Sequence, residues 1–146
     1  STAMAACTQL QLWSRQLLSS FMTKSRDYSW SAQWVADVLV LCIAVHSCKI
    51  ISVQEKSELA PMVKALWLNA KKLAPTFTPQ QLTDMLRGVV ILPMGQDHEQ
   101  TYELLLARVE ARLDTLTPEQ LARSFLALGN FVVKYGRVEK DVSAWV

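Results

Sequence analysis

The sequence predicts an all-α protein, an α-solenoid of antiparallel helix pairs with about six to seven helices. Three observations lead to this prediction. The chain is rich in Leu, Ala, Gln and Met, which favour helices, and its 146 residues include four Gly and five Pro. Apolar residues recur at helical spacing along most of the chain. A six-residue phrase that suits the start of a helix occurs twice, at residues 77–82 and 116–121, which sets a repeat of 39 residues.

The repeated phrase, FTPQQL in the first copy and LTPEQL in the second, has the residues of a helix start. A threonine hydroxyl can accept a hydrogen bond from a free backbone N–H as the N-cap. A proline suits the first helical position, and a glutamine two residues later can complete a capping box. These roles are predicted for Thr78, Pro79 and Gln81 in the first copy and for Thr117, Pro118 and Gln120 in the second.

Apolar residues stay in phase when the sequence is shifted by 39 residues. Matched pairs include Val63 with Tyr102, Leu66 with Leu105, Ala70 with Val109, Leu82 with Leu121, and Val89 with Leu128. Agreement across two helices and a turn predicts a repeated structural unit. A weaker third copy covers residues 31–39, where Ser31 supplies the cap hydroxyl but the proline and glutamine are absent.

The predicted helices span residues 8–21, 31–47, 55–73, 79–92, 97–113 and 118–135, and residues 137–146 are expected to begin another. Residues 93–95, Pro-Met-Gly, end the fourth helix, and Asp97 with Gln100 caps the fifth. Helix pairs whose apolar residues recur at equivalent positions stack on one another, because a single pair cannot bury its apolar face alone. We therefore expect residues 8–146 to form a single domain, a fragment of a longer array, and interpret residues 1–7 as a remnant of cloning.

The charge balance leaves the class of ligand open. The net charge is +2, from 15 basic and 13 acidic residues, and the longest basic run is Lys71-Lys72. Nucleic-acid-binding domains usually carry a clear basic excess, because neutralising phosphates supplies much of their affinity. The composition permits RNA binding without arguing for it.

Cysteine usage and hydropathy indicate the environment of the chain. Cys7, Cys42 and Cys48 are an odd number in apolar surroundings, which is typical of reduced thiols in an intracellular or organellar protein. The most apolar stretch, residues 35–45, contains Asp37 and is too short to cross a bilayer. We expect a buried helix there and no insertion into a membrane.

The second copy of the phrase, with its flanks, is similar to a known class of helical repeat. Residues 113–131 read LDTLTPEQLARSFLALGNF. This segment resembles the octotricopeptide and heptatricopeptide repeats, in which a helix ending in Leu, a turn containing Ser-Pro or Thr-Pro, and a helix with Ala-Leu follow one another. Ala127-Leu128 matches the last feature, whereas Gly88-Val89 replaces it in the first copy. The resemblance covers about residues 55–135.

This resemblance implies a role in organellar RNA biology. Proteins built this way act in RNA processing, stability, editing or translation, and they bind rather than catalyse. For this chain it implies a non-catalytic module of a mitochondrial RNA-processing or RNA-editing assembly that binds single-stranded RNA, protein partners or both. The alternative is a general HEAT-like protein–protein scaffold with no RNA role, because two-helix units of similar length also suit that class.

No residue pattern predicts catalysis, a metal site or a cofactor. Cys42 and His46 share a helix face, but zinc requires four ligands, so core packing is the favoured interpretation. Residues 97–99, Asp-His-Glu, begin a predicted helix, where carboxylates complement the helix dipole. The chain has neither a nucleophile elbow nor a glycine-rich phosphate loop.

The exposed face of the first helix in each repeat is the predicted contact surface, because repeat proteins present variable side chains there to successive bases. The candidate contacts for nucleic acid or a protein partner are Gln80, Asp84, Arg87, Arg123 and Lys134. Carboxylates on the same face, such as Asp37 and Glu119, would repel phosphate. A solvated solenoid surface is therefore the competing interpretation.

Four of the five tryptophans divide into two groups. Trp13 and Trp67 lie in phase with the apolar faces of their helices and are assigned to the core. Trp30 and Trp34 have two open interpretations, packing in the core and stacking on bases. Trp13 and Trp145 lie on terminal helices, which favours further repeats, a partner or a second copy of the chain covering the ends.

Overall fold

The computed structural model describes residues 2–25, 29–49, 51–92 and 98–136. Within these ranges the chain forms seven α-helices and two 3₁₀ turns, with no β-strand. The helices are α1 (Thr2–Ser25), α2 (Ala32–Ser47), α3 (Val53–Ser57), α4 (Ala60–Leu73), α5 (Pro79–Ile91), α6 (His98–Glu110) and α7 (Pro118–Tyr135). The 3₁₀ turns, Ala74–Thr76 and Leu113–Thr115, precede α5 and α7. The predicted all-α class is confirmed.

Helices α5 and α7 begin with the same capping box. Thr78 Oγ1 accepts a hydrogen bond from the backbone N–H of Gln81 at 3.2 Å, and Gln81 Oε1 accepts one from the N–H of Thr78 at 2.9 Å. Thr117 and Gln120 make the equivalent pair at 3.1 and 3.0 Å. A proline occupies the first turn of both helices. Helix α2 begins with an N-cap serine, because Ser31 Oγ accepts a hydrogen bond from the N–H of Trp34 at 3.1 Å.

The single helix predicted over residues 55–73 is in fact two helices, α3 and α4, separated by a turn at residues 58–59. Pro61 explains the break. Its nitrogen has no hydrogen to donate to the carbonyl of Ser57, and its ring would clash with that carbonyl in a continuous helix. Helix α3 therefore ends at Ser57, and α4 restarts with Pro61 in its first turn.

Helix α1 is longer than predicted, and three other predicted features lie outside the described residues. Helix α1 begins at Thr2 and ends at Ser25, beyond the predicted span 8–21 on both sides. Its extra first residues include three alanines, which have the highest helix propensity. The Asp97 cap, the predicted helix over residues 137–146 and Trp145 lie outside the described residues.

Helix α5 occupies the centre of the packing. It contacts α2, α6 and α7, while α4 contacts α2 and α6. The largest fully buried side chains come from α2, α4, α5, α6, α7 and the segments beside them: Tyr102, Phe77, Phe131, Leu39, Leu66, Leu82, Met85, Leu86, Leu92, Leu105, Leu106 and Val35. Tyr102 on α6 stacks on Phe131 of α7 with ring centroids 3.9 Å apart. One continuous core therefore joins these helices.

Gly88 allows α5 to approach α2 closely. A Cβ atom at this position would overlap Leu39 Cδ1 and would lie 3.3 Å from Cη2 of Trp67. Leu39 is 1% exposed and has little room to move. Residue 127 of α7, the equivalent position in the second copy, is alanine, and the glycine at residue 88 therefore reflects the close contact with Leu39 of α2.

Arg112 joins the two 3₁₀ turns. Its guanidinium follows the end of α6 and donates hydrogen bonds to the carbonyl of Phe77 and, at 3.1 Å, to the carbonyl of Pro75. The side chain thus satisfies backbone acceptors of the earlier turn. Arg112 therefore links the turn between α6 and α7 to the turn between α4 and α5.

Candidate partner-binding groove

Helices α5 and α7 are amphipathic, and their partly solvent-facing sides lie next to each other. The buried side of α5 includes Leu82, Met85, Leu86 and Val89. The buried side of α7 consists of Ser124, Ala127, Leu128 and Phe131. Because these stripes face the core, the intervening positions of both helices face the cleft between them or solvent.

A groove of about 370 Å³ lies between α5 and α7. Among the described residues, its walls come from these two helices: Thr83, Asp84, Arg87, Val90 and Ile91 from α5, and Arg123, Leu126, Ala127 and Asn130 from α7. Aliphatic side chains therefore lie beside two guanidinium groups, one carboxylate and one amide. We call this feature the α5–α7 groove.

Two hydrogen bonds across the helices bracket the groove. Near the start of both helices, Gln120 Nε2 donates to Gln80 Oε1 at 3.2 Å. Near their ends, Lys134 Nζ donates to the backbone carbonyl of Val90 at 2.6 Å. Because equivalent ends meet, α5 and α7 run in the same direction.

The charges around the groove are only partly paired. Asp84 Oδ1 accepts a hydrogen bond from Gln80 Nε2 at 3.0 Å. Arg123 Nη2 lies 2.7 Å from Glu119 Oε1, and both side chains are more than half exposed. Arg87 is exposed and makes no ion pair with any residue of the described ranges. Among the described residues, Arg87 is therefore a groove cation without a carboxylate partner.

A polar pair with the same spacing recurs near the start of three helices. In α2, Gln33 Nε2 donates to Asp37 Oδ1 at 3.0 Å. This contact matches the pair formed by Gln80 and Asp84 in α5 and the ion pair formed by Glu119 and Arg123 in α7. Side chains four residues apart meet on one face of a helix, so all three helices carry a polar pair one turn after their caps.

The five candidate contacts predicted from the sequence lie together at the α5–α7 groove. Asp84, Arg87 and Arg123 line it, whereas Gln80 and Lys134 make the hydrogen bonds that bracket it. The sequence interpretation missed the aliphatic part of the groove and Asn130. Leu126 carried a usable signal, because it is apolar yet falls outside the buried stripe of α7 and is 65% exposed.

Core packing, the favoured interpretation of Cys42 and His46, is correct for Cys42 and wrong for His46. Cys42 is fully buried, whereas His46 is exposed and Cys48 is half-buried. Across the described parts of the chain, no group of three or more His, Cys, Asp or Glu residues is placed to hold a metal ion. Burial raises the pKa of the Cys42 thiol to about 12, so this thiol is protonated at neutral pH.

None of the described aromatic side chains lines the groove. Trp67 is 6% exposed and belongs to the core. Trp34 is half-buried, with its ring 5.7 Å from that of Phe21 and 6.3 Å from that of Trp30. The groove lining contains no aromatic side chain.

None of the helices in the described ranges combines the length and apolar character needed to cross a membrane.

The chain was compared with known proteins. It matches no family model, no curated protein and no solved structure.

Proposed function

We propose that this chain is an α-solenoid of two-helix repeats that serves as a non-catalytic interaction module, with the α5–α7 groove as its contact site. Its setting would be a mitochondrial RNA-processing or RNA-editing assembly. The observation that carries the proposal is the groove itself, where a cleft of about 370 Å³ gathers Asp84, Arg87 and Arg123 from two adjacent helices.

The solenoid part rests on the recurrence of local structure at a spacing of 39 residues. A 3₁₀ turn, a buried apolar residue and a threonine capping box occur in the same order before α5 and before α7. The two helices run in the same direction, and Arg112 links the two turns. Stacked repeats make this kind of contact with their nearest neighbours.

The RNA part rests on the resemblance of residues 55–135 to octotricopeptide and heptatricopeptide repeats, and on the cations at the groove. Arg87, Arg123 and Lys134 all belong to the face formed by α5 and α7. Cationic side chains at such positions can neutralise phosphates.

The second candidate is a HEAT-like protein scaffold with no RNA role. Asp84 and Glu119 favour it, because their carboxylates would repel phosphate near the two arginines. The absence of an aromatic side chain from the groove lining favours it too, since bases commonly stack on aromatic rings.

The test is a fluorescence-anisotropy titration with a mixed-sequence pool of single-stranded RNA, at low and at physiological salt. RNA contact in the groove predicts saturable binding that falls steeply with salt and that is weakened about tenfold or more by Arg87→Glu. Arg108→Glu is the matched control, because Arg108 is an exposed arginine on α6, outside the groove. Absence of RNA binding even at low salt would favour the scaffold and exclude the RNA role for this chain.

A further inference from the structure

The α5–α7 groove has the features of a site for a short acidic peptide. We infer that it takes an extended segment of a protein partner that places an aliphatic side chain between the helices and carboxylates on Arg87 and Arg123. This inference rests on the proposed function, because it names the class of ligand for that interaction module.

The dimensions of the groove favour a short segment. Gln80 and Val90, which mark its two ends on α5, are ten residues apart, or about 15 Å along a helix. An extended peptide spans this distance with about four to five residues. The interhelical hydrogen bonds of Gln120 and Lys134 lie at the two ends of the groove.

The aliphatic lining supplies a place for an apolar anchor. Val90, Ile91, Leu126 and Ala127 all line the groove, and Leu126 is 65% exposed. Covering this surface with an aliphatic side chain removes apolar area of both partners from water, which favours binding. A nucleobase would find no aromatic ring there on which to stack.

The two arginines favour carboxylates. Arg87 stands on the α5 wall without an ion-pair partner in the described ranges, and Arg123 stands on the α7 wall. The ion pair of Arg123 with Glu119 is exposed, and exposed ion pairs contribute little to stability, so a partner's carboxylate can replace Glu119. A guanidinium can bind a carboxylate through two parallel hydrogen bonds.

The acidic residues beside the arginines favour a peptide over RNA. Asp84 lies in the groove, hydrogen-bonded to Gln80, and Glu119 lies beside Arg123. RNA carries a charge at every nucleotide and could not keep its phosphates away from both carboxylates. A peptide can place neutral residues opposite Asp84 and acidic residues opposite Arg87.

The experiment is a selection from a random dodecapeptide phage library against the whole chain, followed by anisotropy titrations with the enriched peptides after synthesis. The expected peptides contain Leu, Ile, Val or Met next to Asp or Glu. Arg87→Glu and Leu126→Glu should each weaken their binding by about tenfold or more. Both positions are exposed, so the substitutions should leave the fold intact, which circular dichroism would check.

Two matched controls separate the groove from general effects of charge and hydrophobicity. Arg108→Glu makes the same change of charge on α6, and Leu68→Glu makes the same change at a leucine of α4 that is 68% exposed. Neither should alter peptide binding. A charge exchange is the most direct check, because a peptide whose acidic residue is replaced by lysine should bind Arg87→Glu better than it binds the original chain.

Three results would overturn the inference, and they have different consequences for the proposed function. If RNA binds in a way that depends on Arg87 and no acidic peptide is enriched, the ligand is RNA and the proposed function stands. If neither RNA nor any peptide binds in a way that depends on Arg87 or Leu126, the groove is no contact site and both proposals fail. If the enriched peptides lack acidic residues, a protein partner is still supported, but the inference that its segment is acidic is wrong.

Discussion

At the scale of single residues, Gly88 shows how a side chain can be excluded by a neighbouring helix. The position lies in the middle of α5, where alanine would normally be preferred because glycine costs roughly 0.5–1 kcal/mol in a helix interior. Contact with Leu39 and Trp67 overrides this preference. The packing of α5 on α2 therefore depends on the absence of a single methyl group.

Gly88→Ala should lower the free energy of unfolding by about 1–3 kcal/mol, because the new methyl group must displace the buried side chain of Leu39. Urea denaturation followed by circular dichroism would measure the change. Gly129→Ala is the matched control in α7, where a Cβ atom would meet nothing within 4 Å. It should raise the free energy of unfolding by about 0.5–1 kcal/mol. Equal effects at the two positions would contradict this account.

At the scale of helices, the starts of α5 and α7 could be predicted to the residue. The signals are local, since a threonine, a proline and a glutamine fix the first turn without help from distant residues. The division of the predicted helix 55–73 was missed because apolar spacing continues across Pro61, and this continuity outweighed the proline. Pro61 alone was nevertheless a sufficient signal in the sequence to predict the break at residues 58–59.

Removing a cap should weaken its helix by a known amount. Thr117→Ala should lower the free energy of unfolding by about 1 kcal/mol, since the N–H of Gln120 loses its acceptor. Thr117→Ser keeps the hydroxyl and should retain most of the stability. Chemical denaturation of the three proteins measures the differences. An unchanged midpoint for the alanine variant would show that the cap contributes nothing.

The groove could be predicted only in part. Its charged residues follow from helix phase, because Asp84 and Arg87 must lie near the solvent side of α5 when Leu82, Met85 and Leu86 are buried. Periodicity does not say which helices lie side by side. Asn130 and Leu126 enter the groove because α7 lies next to α5, and only the tertiary structure reveals that contact.

At the scale of the whole molecule, two buried acidic groups, the thiol of Cys42 and the hydroxyl of Tyr102, should lower the stability of the fold at alkaline pH. Burial raises the pKa of Cys42 from 9.0 to about 12 and also raises the pKa of Tyr102. Both groups are neutral in the folded chain at pH values where the unfolded chain has begun to lose the same protons. The unfolded state therefore binds fewer protons in this range, and the free energy of unfolding must fall as pH rises.

The decline should begin near pH 9.0 and continue toward about pH 12, and denaturation midpoints measured across this range would record it. Tyr102→Phe should reduce the slope without loss of stability at neutral pH. The hydroxyl of Tyr102 has no hydrogen-bond partner among the described residues, so its removal leaves no donor or acceptor unsatisfied. Cys42→Val should likewise reduce the slope. Midpoints independent of pH would contradict the burial of these groups.

Arg112 makes the two halves of this part of the chain depend on each other. Its guanidinium donates hydrogen bonds to the carbonyls of Pro75 and Phe77. These carbonyls lose that donor when α6 and α7 unfold, and Arg112 loses its acceptors when α4 and α5 unfold. We therefore expect α4 to α7 to unfold in a single cooperative transition.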